Sequence, residues 1–459
     1  MSTTRRQVLA RSGALGAGIA FSGALSELFA GTTATALGHS GYGPLVPDPK
    51  GLLDLPKGFR YRVLSREGDD LRSGEGKVPS NHDGMAAFAG RSGDRHSGRV
   101  HLVRNHENRN NAKLAVPTVE GLTYDPEGKG GCTTLTLDAR GKVLEECVAI
   151  AGTAVNCAGG PTPWGTWLTC EETEDKAGTN GYTKDHGFIF EVDPADPYRT
   201  GAVPLTAMGR FQHEAIAVDP KRGIVYETED AFEKPFGLFY RFLPNKPEGG
   251  RGSLRAGGRL QAMRVPGVPD LSKIQETGAT FDGIEWADVP DPLAAETPIR
   301  LQDFGPKGIT HAQKLEGCYW GGRSVYFVSS FARSDEGSAA DHYGQIWRYD
   351  PATRQLTLVI VFGPDTDVQL PGESPDNICL APSGGLMVCE DGEGAQHVYG
   401  VTRRGEVYAM ARNRQNIGTP EDPEWGEFAG VTFSPDGKTM YVNCYAPGTT
   451  FAVTGPWRR

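Results

Sequence analysis

Short runs in which apolar and polar residues alternate recur along most of the chain, and each run ends at a glycine, proline or aspartate. An alternation with a period of two residues predicts strands with one buried face. Clear examples are residues 187–194, 237–244 and 344–351. Helical periodicity is weak everywhere, so the pattern predicts an all-β protein.

A second repeated unit joins two such runs through a turn that contains proline and glycine. It occurs at residues 218–226, 381–388 and 434–442 and is typical of a β-hairpin. Hairpins that follow one another are what a propeller blade requires. We therefore predict a six-bladed β-propeller with loop insertions, and a β-sandwich array is the alternative.

Composition agrees with a chain rich in turns. Glycine and proline contribute 62 and 32 of the 459 residues, without a collagen-like period. The chain carries 47 basic and 57 acidic residues, a formal net charge of −10. This balance argues against nucleic acid as a partner and suits a protein that holds cations.

The N-terminus has the features of an export signal. Arg5 and Arg6 form a twin-arginine pair, an apolar stretch follows at residues 13–30, and residues 34–36 are a small-x-small cleavage site. Polar residues interrupt the apolar stretch, so it is too short and too polar to be a stable membrane span.

We therefore expect residues 1–36 to be a twin-arginine signal peptide and residues 37–459 to form a single propeller domain. The expected partner during export is the twin-arginine translocase, and the expected location is periplasmic or extracellular. Substrates of this route cross the membrane already folded, often because a cofactor has been inserted first.

Polar constellations occur about once per predicted repeat. They combine carboxylates, amides, histidine or cysteine, in most cases with glycine, at residues 80–85, 104–108, 156–172, 210–214, 314–318, 374–377, 389–392 and 426–430. A hard cation such as Ca²⁺ takes six to eight oxygen ligands, which one loop rarely supplies but six converging blades can. A thiolate such as that of Cys157 suits iron or zinc instead.

Each constellation also has a structural interpretation. A single acidic residue beside glycine is usually part of a turn, and a lone cysteine is more often a small buried residue. The eight cysteines include no CxxC pair and do not suggest a disulfide framework. The number of constellations, together with the export signal, favours a metal site.

Three of these regions resemble the PhoX-type alkaline phosphatase family, whose members are exported by the twin-arginine route. They are residues 156–172, residues 210–214, and residues 427–435 followed by 450–457, and the resemblance extends over about residues 45–457. It implies a six-bladed propeller that hydrolyses phosphate monoesters at a central cluster of calcium ions and an oxo-bridged iron pair. The chain resembles a compact branch of that family.

The resemblance also implies roles for individual residues. Cys157 matches the thiolate that binds iron, and Glu214 and Glu316 match carboxylates on the iron pair. The expected calcium ligands are Asp83, Glu107, Glu172, Asp376 and Asn377.

Lys314 stands two residues before Glu316, where longer members of the family carry an arginine that holds the phosphate. A lysine there is a point charge and cannot make the bidentate contact of an arginine. We expect Glu214, Glu316 and Lys314 to be the catalytic residues.

Two other functions fit the same residues. One is a calcium-binding propeller without phosphatase activity, and the other is a calcium-dependent lactonase or phosphodiesterase-like hydrolase. Neither needs a thiolate, so iron content separates them from a phosphatase. We expect a small phosphate ester as substrate, Ca²⁺ and Fe³⁺ as cofactors, and a monomer.

Overall fold

The computed structural model describes residues 41–73, 75–90, 97–363 and 372–458. The predicted signal peptide, residues 1–36, lies outside them. Helical structure within the described ranges is limited to short 3-10 turns, and no helix there is long and apolar enough to cross a membrane. The turns are Pro197–Arg199, Thr206–Met208, Ser253–Ala256, Leu271–Lys273 and Ile299–Leu301.

Strands make up the rest of the regular structure. In chain order, the first fourteen are β1 Leu45–Val46, β2 Leu53–Pro56, β3 Arg60–Arg66, β4 His82–Ala89, β5 Val100–His106, β6 Gly130–Leu137, β7 Val143–Thr153, β8 Asn156–Pro161, β9 Trp167–Glu171, β10 Ile189–Val192, β11 His213–Val218, β12 Val225–Glu229, β13 Gly237–Pro244 and β14 Gly258–Arg264. The next fourteen are β15 Thr280–Phe281, β16 Glu285–Asp288, β17 His311–Ala312, β18 Leu315–Gly321, β19 Ser324–Ser329, β20 Gln345–Asp350, β21 Gln355–Val361, β22 Pro375–Leu380, β23 Leu386–Glu390, β24 His397–Val401, β25 Val407–Asn413, β26 Phe428–Phe433, β27 Thr439–Cys444 and β28 Thr449–Thr454.

These strands form six antiparallel sheets, which are the blades of a propeller. Blade I contains β4–β7, blade II β8–β10, blade III β11–β14 and β16, blade IV β18–β21 and β15, blade V β22–β25, β2 and β1, and blade VI β26–β28 and β3. The innermost strands β4, β8, β11, β18, β22 and β26 pack side by side in a closed ring. The six-bladed propeller predicted from the sequence is therefore confirmed, and the β-sandwich alternative is wrong.

The two ends of the described chain meet in the last blade. Strand β3, near the N-terminus, pairs with β28, near the C-terminus, with Arg66 opposite Thr449 and Arg60 opposite Thr454. Pairing of this kind leaves the ring without an open seam and protects a strand edge that would otherwise be exposed.

The apolar core lies between neighbouring blades. One buried cluster joins blades II and III, where Leu168 and Ile189 pack with Ile216 and Tyr240. Equivalent clusters fill the other junctions around the ring. Alternate side chains of each blade thus face opposite neighbours, which explains the two-residue period of the sequence.

The three hairpins predicted from the sequence all occupy the same place in their blades. Each joins an innermost strand to the next strand outward, in blade III, blade V or blade VI. The innermost strands therefore begin at the opposite end of the propeller. We call that end the hub face.

Every innermost strand begins with a β-bulge. The pairing register shifts between the first and fourth residues of each bulge, for example between His82 and Met85 in blade I and between Ala429 and Thr432 in blade VI. A bulge re-aims the side chains of its extra residue, and such irregularities are common beside functional sites.

Strain accompanies four of the six bulges. The residue just before the bulge has a left-handed backbone in blades I, II, IV and V, at Asn81, Val155, Lys314 and Ser374, with φ between 43° and 53°. A non-glycine residue in this region costs about 1 kcal/mol or more. The surrounding packing thus holds the start of each of these strands in one conformation.

A loop on the hub face connects β19 to β20, and we call residues 330–344 the blade IV loop. Ala332 and His342 exchange two backbone hydrogen bonds of 3.1 Å across its base. The side-chain oxygen of Gln313 accepts bonds from the Arg333 backbone N–H, at 2.8 Å, and from the Ser338 hydroxyl, at 2.6 Å. These contacts fix the loop to the segment that enters blade IV.

Substitution of Gly430 tests the packing of the hub. A Cβ atom there would lie 2.5 Å from the carbonyl oxygen of Asp83, and φ is +62°. We expect Gly430→Ala to lower the free energy of unfolding by about 3 kcal/mol, because it combines backbone strain with a clash against main chain. The measurement is urea denaturation followed by circular dichroism.

The matched control is Gly322→Ala, since Gly322 also has a positive φ, +73°, but nothing lies within 4 Å of its would-be Cβ. This variant should lose only about 1 kcal/mol from backbone strain. Equal losses in the two variants would contradict the packing that we describe.

His342 should make the stability of the protein depend on pH. Burial, together with the nearby charge of Arg333, lowers the pKa of this imidazole to about 3. Below pH 6.5 the His342 imidazole is protonated in the unfolded chain but stays neutral in the folded protein. The free energy of unfolding therefore falls as the pH drops from 6.5 toward 3.

Between pH 7 and pH 5 the wild type should lose about 2 kcal/mol more than His342→Asn, which cannot titrate. Urea midpoints at both pH values, under identical metal conditions, measure this difference. Parallel losses in the two proteins would refute the assignment.

Candidate metal centre

The second residue of each bulge forms an inner ring at the hub. Five blades place a carboxylate or a thiol there, and blade VI places glycine. In blade order the positions are Asp83, Cys157, Glu214, Glu316, Asp376 and Gly430. Because the same bulge begins each innermost strand, one repeated local structure directs five side chains of the ligand type toward the propeller axis.

An outer ring lies beside the inner one. Its members directly follow the second strand of blades I to V, and they are Glu107, Glu172, Asp230, Ser330 and Asp391. The backbone N–H of each donates to the carbonyl oxygen of the residue before the bulge, at 2.8–3.1 Å. This repeated bridge fixes four further carboxylates and one hydroxyl at the hub.

The two rings converge into a continuous arc of possible ligands. Three groups have ligand atoms within 4.8 Å of one another, and all their members are buried. The groups are Asp83, Glu107 and Cys157; Cys157, Glu172 and Glu214; and Glu214, Glu316 and Asp376. Cys157 and Glu214 each belong to two groups, and the Cys157 thiol donates to the Glu214 carboxylate at 2.7 Å.

Two cations contact this arc. The Lys314 ammonium is buried, forms an ion pair with Glu316, and lies 3.5 Å from an Asp230 oxygen and 3.9 Å from an Asp391 oxygen. The half-exposed Arg109 guanidinium lies 3.3 Å from Glu107 at the edge of the hub. Eight carboxylates in the two rings thus face two cationic side chains.

The electrostatic consequences appear in the pKa values of the hub. Burial, followed by the proximity of Glu214, raises the pKa of the Cys157 thiol well above its usual range. Burial, followed by repulsion from Glu316, raises the pKa of Asp230. Additional positive charge is needed before these groups can ionise together.

Metal ions fit this requirement. One oxygen of Glu316 is buried and has no hydrogen-bond partner among the described residues, so it is available as a ligand. The donor set consists mainly of carboxylate oxygens, which suit hard cations, with one sulfur that suits a softer metal. The residues present therefore fit a group of several metal ions.

Buried side chains hold in place the bulges that carry the possible ligands. The Asn105 amide donates to the carbonyl oxygens of Cys157, at 3.1 Å, and Ala158, at 2.7 Å. The Thr228 hydroxyl donates to the carbonyl oxygen of Glu316 at 2.6 Å, which ties blade III to blade IV. These bonds fix the backbone on both sides of the hub.

The structure brings together all the residues that the sequence singled out as ligands, and it places Lys314 against Glu316. Asn377 is at the hub, but its amide nitrogen donates to Asp376 at 2.9 Å and its oxygen accepts from the Gly430 N–H. In this arrangement Asn377 orients Asp376. Direct ligation of a metal by any of these residues stays a prediction.

Sequence reasoning missed four hub residues, namely Asp230, Ser330, Asp391 and Arg109. Asp391 lies in a segment that the sequence singled out, residues 389–392, but no role was assigned to it. Asp230 has no glycine neighbour and so carries no local signal. Its position directly after the second strand of a predicted hairpin, like that of Glu107 and Glu172 in other blades, could have identified it.

Comparisons with known proteins agree with the geometry. The family model described as alkaline phosphatase PhoX matches residues 40–448. The structure of Pseudomonas fluorescens PhoX in complex with vanadate, a transition state analogue, is 20% identical, with a TM-score of 0.63 over 90% of this chain and 97% of that chain. That likeness shows a shared fold.

More distant structures include a putative gluconolactonase and a gluconolactonase from Xanthomonas campestris, which are 10% and 12% identical. Their TM-scores are 0.45 and 0.44, over 90% of this chain and 98% of each of theirs. No curated protein matches the chain. Because the family model spans most of its length, this chain belongs to the alkaline phosphatase PhoX family and is an alkaline phosphatase-type hydrolase.

Proposed function

We propose that this protein hydrolyses small phosphate monoesters at the hub, with calcium and iron as its metals. The observation that carries the proposal is the convergence of eight buried or partly buried carboxylates, one thiol and one buried lysine where six blades meet. A relative with the same fold binds vanadate, a transition state analogue. The family membership and the chemistry of the hub point to the same reaction.

The donor atoms suggest how two kinds of metal would be shared. Cys157, Glu214 and Glu316 would hold iron, because a thiolate with two carboxylates suits a trivalent or borderline-soft metal. Oxygen-only positions would hold calcium, and they are Asp83, Glu107, Glu172, Asp376 and Asn377. When bound, such metals neutralise charge that develops on a transferred phosphoryl group and activate water near neutral pH.

Lys314 would bind the phosphate of the substrate. Its ammonium is held by Glu316, Asp230 and Asp391, and it lies 5.0 Å from the centre of the Phe232 ring. A buried, pre-positioned cation stabilises a phosphoryl group without reorganising during the reaction. Exclusion of water by the surrounding blades strengthens that interaction.

Export through the twin-arginine route is part of the proposal. Arg5 and Arg6 at the N-terminus, followed by a weakly apolar stretch, support it. Folding before export would let the hub acquire its metals inside the cell, with the translocase as transient partner. The mature monomer would then act in the periplasm or outside the cell.

Replacement of Cys157 tests the metal assignment. In protein exported through its native route, Cys157→Ser should lose its iron and at least about 99% of its rate with p-nitrophenyl phosphate, because the softest ligand is gone. Elemental analysis and release of p-nitrophenol measure the two effects. Full iron together with full activity would refute the role of Cys157.

Cys147→Ser is the matched control, since Cys147 lies on β7, the outermost strand of blade I, and is not one of the grouped ligands. It should keep both iron and activity. Wild-type protein with calcium but no iron and no phosphatase activity would instead indicate a calcium-binding propeller. Iron-free protein that opens lactones or cleaves phosphodiesters would indicate the other hydrolases.

Replacement of Lys314 tests phosphate binding. Lys314→Gln should lower kcat/KM for p-nitrophenyl phosphate about a hundredfold, the usual cost of removing one positioned electrostatic contact. Metal content, measured in parallel, shows whether the loss is direct. Lys438→Gln is the control, since Lys438 lies in a hairpin turn at the opposite end of blade VI. Near-normal kinetics of Lys314→Gln would mean that another group binds phosphate.

A further inference from the structure

Blade IV has the least negative charge in the outer ring. Its position is held by Ser330, whereas blades I, II, III and V place a carboxylate there. The Ser330 hydroxyl is buried and has no hydrogen-bond partner among the described residues, and the Ser330 backbone N–H donates to the carbonyl oxygen of Lys314 at 2.8 Å. An anionic substrate bound to Lys314 therefore meets less repulsion from the outer ring beside blade IV than beside blades I, II, III or V.

Arg333 lies on the same side, in the blade IV loop. Its guanidinium carbon is 4.9 Å from the centre of the Phe331 ring and 4.8 Å from the centre of the Tyr343 ring. One of its nitrogens donates to the carbonyl oxygens of Ala332, at 3.2 Å, and His342, at 2.9 Å. Two rings and two hydrogen bonds thus fix its orientation.

Arg333 differs from the other two cations of this region in its partners. In the part of the chain that the structure describes, this half-buried guanidinium makes no ion pair with a carboxylate, unlike Lys314 and Arg109. Its remaining N–H groups keep their capacity to bind an anion. An arginine held in one orientation, with guanidinium N–H donors that remain available, is well suited to bind a carboxylate or a phosphate.

The spacing between Arg333 and Lys314 is set by shared contacts. The Lys314 ammonium and the Arg333 guanidinium lie 5.9 Å and 4.9 Å from the centre of the same Phe331 ring, so the two charges are within about 11 Å of each other. The Arg333 backbone also donates to Gln313, the residue before Lys314, at 2.8 Å. A small substrate molecule is long enough to span this separation.

We propose that Arg333 is a second anion-binding site, which holds the leaving group of the substrate. The preferred substrates are then phosphate monoesters whose small leaving group carries a carboxylate or a second phosphate. This inference rests on the proposed function and leaves the reaction unchanged. The oxygen of one water joins phosphorus, the ester P–O bond breaks, and a proton from that water goes to the departing alcohol.

Three esters that differ at one position test this proposal. They are phenyl phosphate, 4-carboxyphenyl phosphate and the neutral 4-carbamoylphenyl phosphate. The wild type should favour the carboxylate over the carbamoyl ester about tenfold in kcat/KM, mainly through a lower KM, as expected for one charge-assisted contact. Arg333→Gln should abolish this preference, and Arg333→Lys should keep part of it because lysine retains charge but not the fork.

Arg241→Gln is the control, because Arg241 also stacks on an aromatic ring, 4.6 Å from the centre of Trp286, but lies in the third strand of blade III. It should keep the wild-type preference. A preference in Arg333→Gln within twofold of the wild-type value would overturn the proposal.

The wild type alone gives a second, independent result. If it hydrolyses phenyl phosphate but treats the carboxylate and carbamoyl esters alike, the anion site is refuted while the phosphatase function stands. If it hydrolyses none of the three esters, the proposed function fails and this inference fails with it. Neither result depends on whether the Arg333 variants fold.

Discussion

The concentration of negative charge at the propeller axis is the constraint on which the rest of this structure depends. Eight carboxylates and a thiol occupy two concentric rings, and among the described residues only Lys314 and Arg109 approach them with positive charge. Burying ionised groups without compensation costs several kcal/mol each. Bound cations would offset this unfavourable electrostatic energy at the centre of the protein, and metal binding would then be coupled to folding.

One local structure, repeated with small changes in each blade, forms this charged centre. Each innermost strand opens with a bulge that aims its second residue at the axis, and a backbone hydrogen bond brings the end of the next strand alongside. Blades I to V follow this plan. Blade VI places Gly430 where the others place a carboxylate or a thiol, because the main chain of Asp83 and Met85 already occupies the space of a side chain. The asymmetry of the hub thus follows from packing as well as from the choice of ligands.

Much of this could be predicted from the sequence because its signals are local. The two-residue alternation comes from blades that face a neighbour on each side, and turns such as residues 381–388 need only their own proline and glycine. The innermost ligands were identifiable because Asp83, Glu316 and Asp376 stand at strand starts beside small or amide residues. Asp230 was not, because it has no glycine neighbour and only its position after the second strand of a hairpin places it at the hub.

The contact between Phe331 and Lys314 could not be predicted from the sequence. Phe331 and Arg333 follow the second strand of blade IV in a stretch without any recognisable motif, yet Phe331 contacts both cations. Blade IV is also where the outer ring exchanges a carboxylate for the hydroxyl of Ser330. A lysine suits the position closer to the axis, because its compact ammonium fits among three carboxylates and an aromatic side chain. The broader guanidinium of Arg333 lies farther out, between the aromatic side chains of Phe331 and Tyr343. Along blade IV the charge thus changes from negative in the two carboxylate rings to positive at Lys314 and Arg333. This change gives the hub a side that favours the binding of an anion.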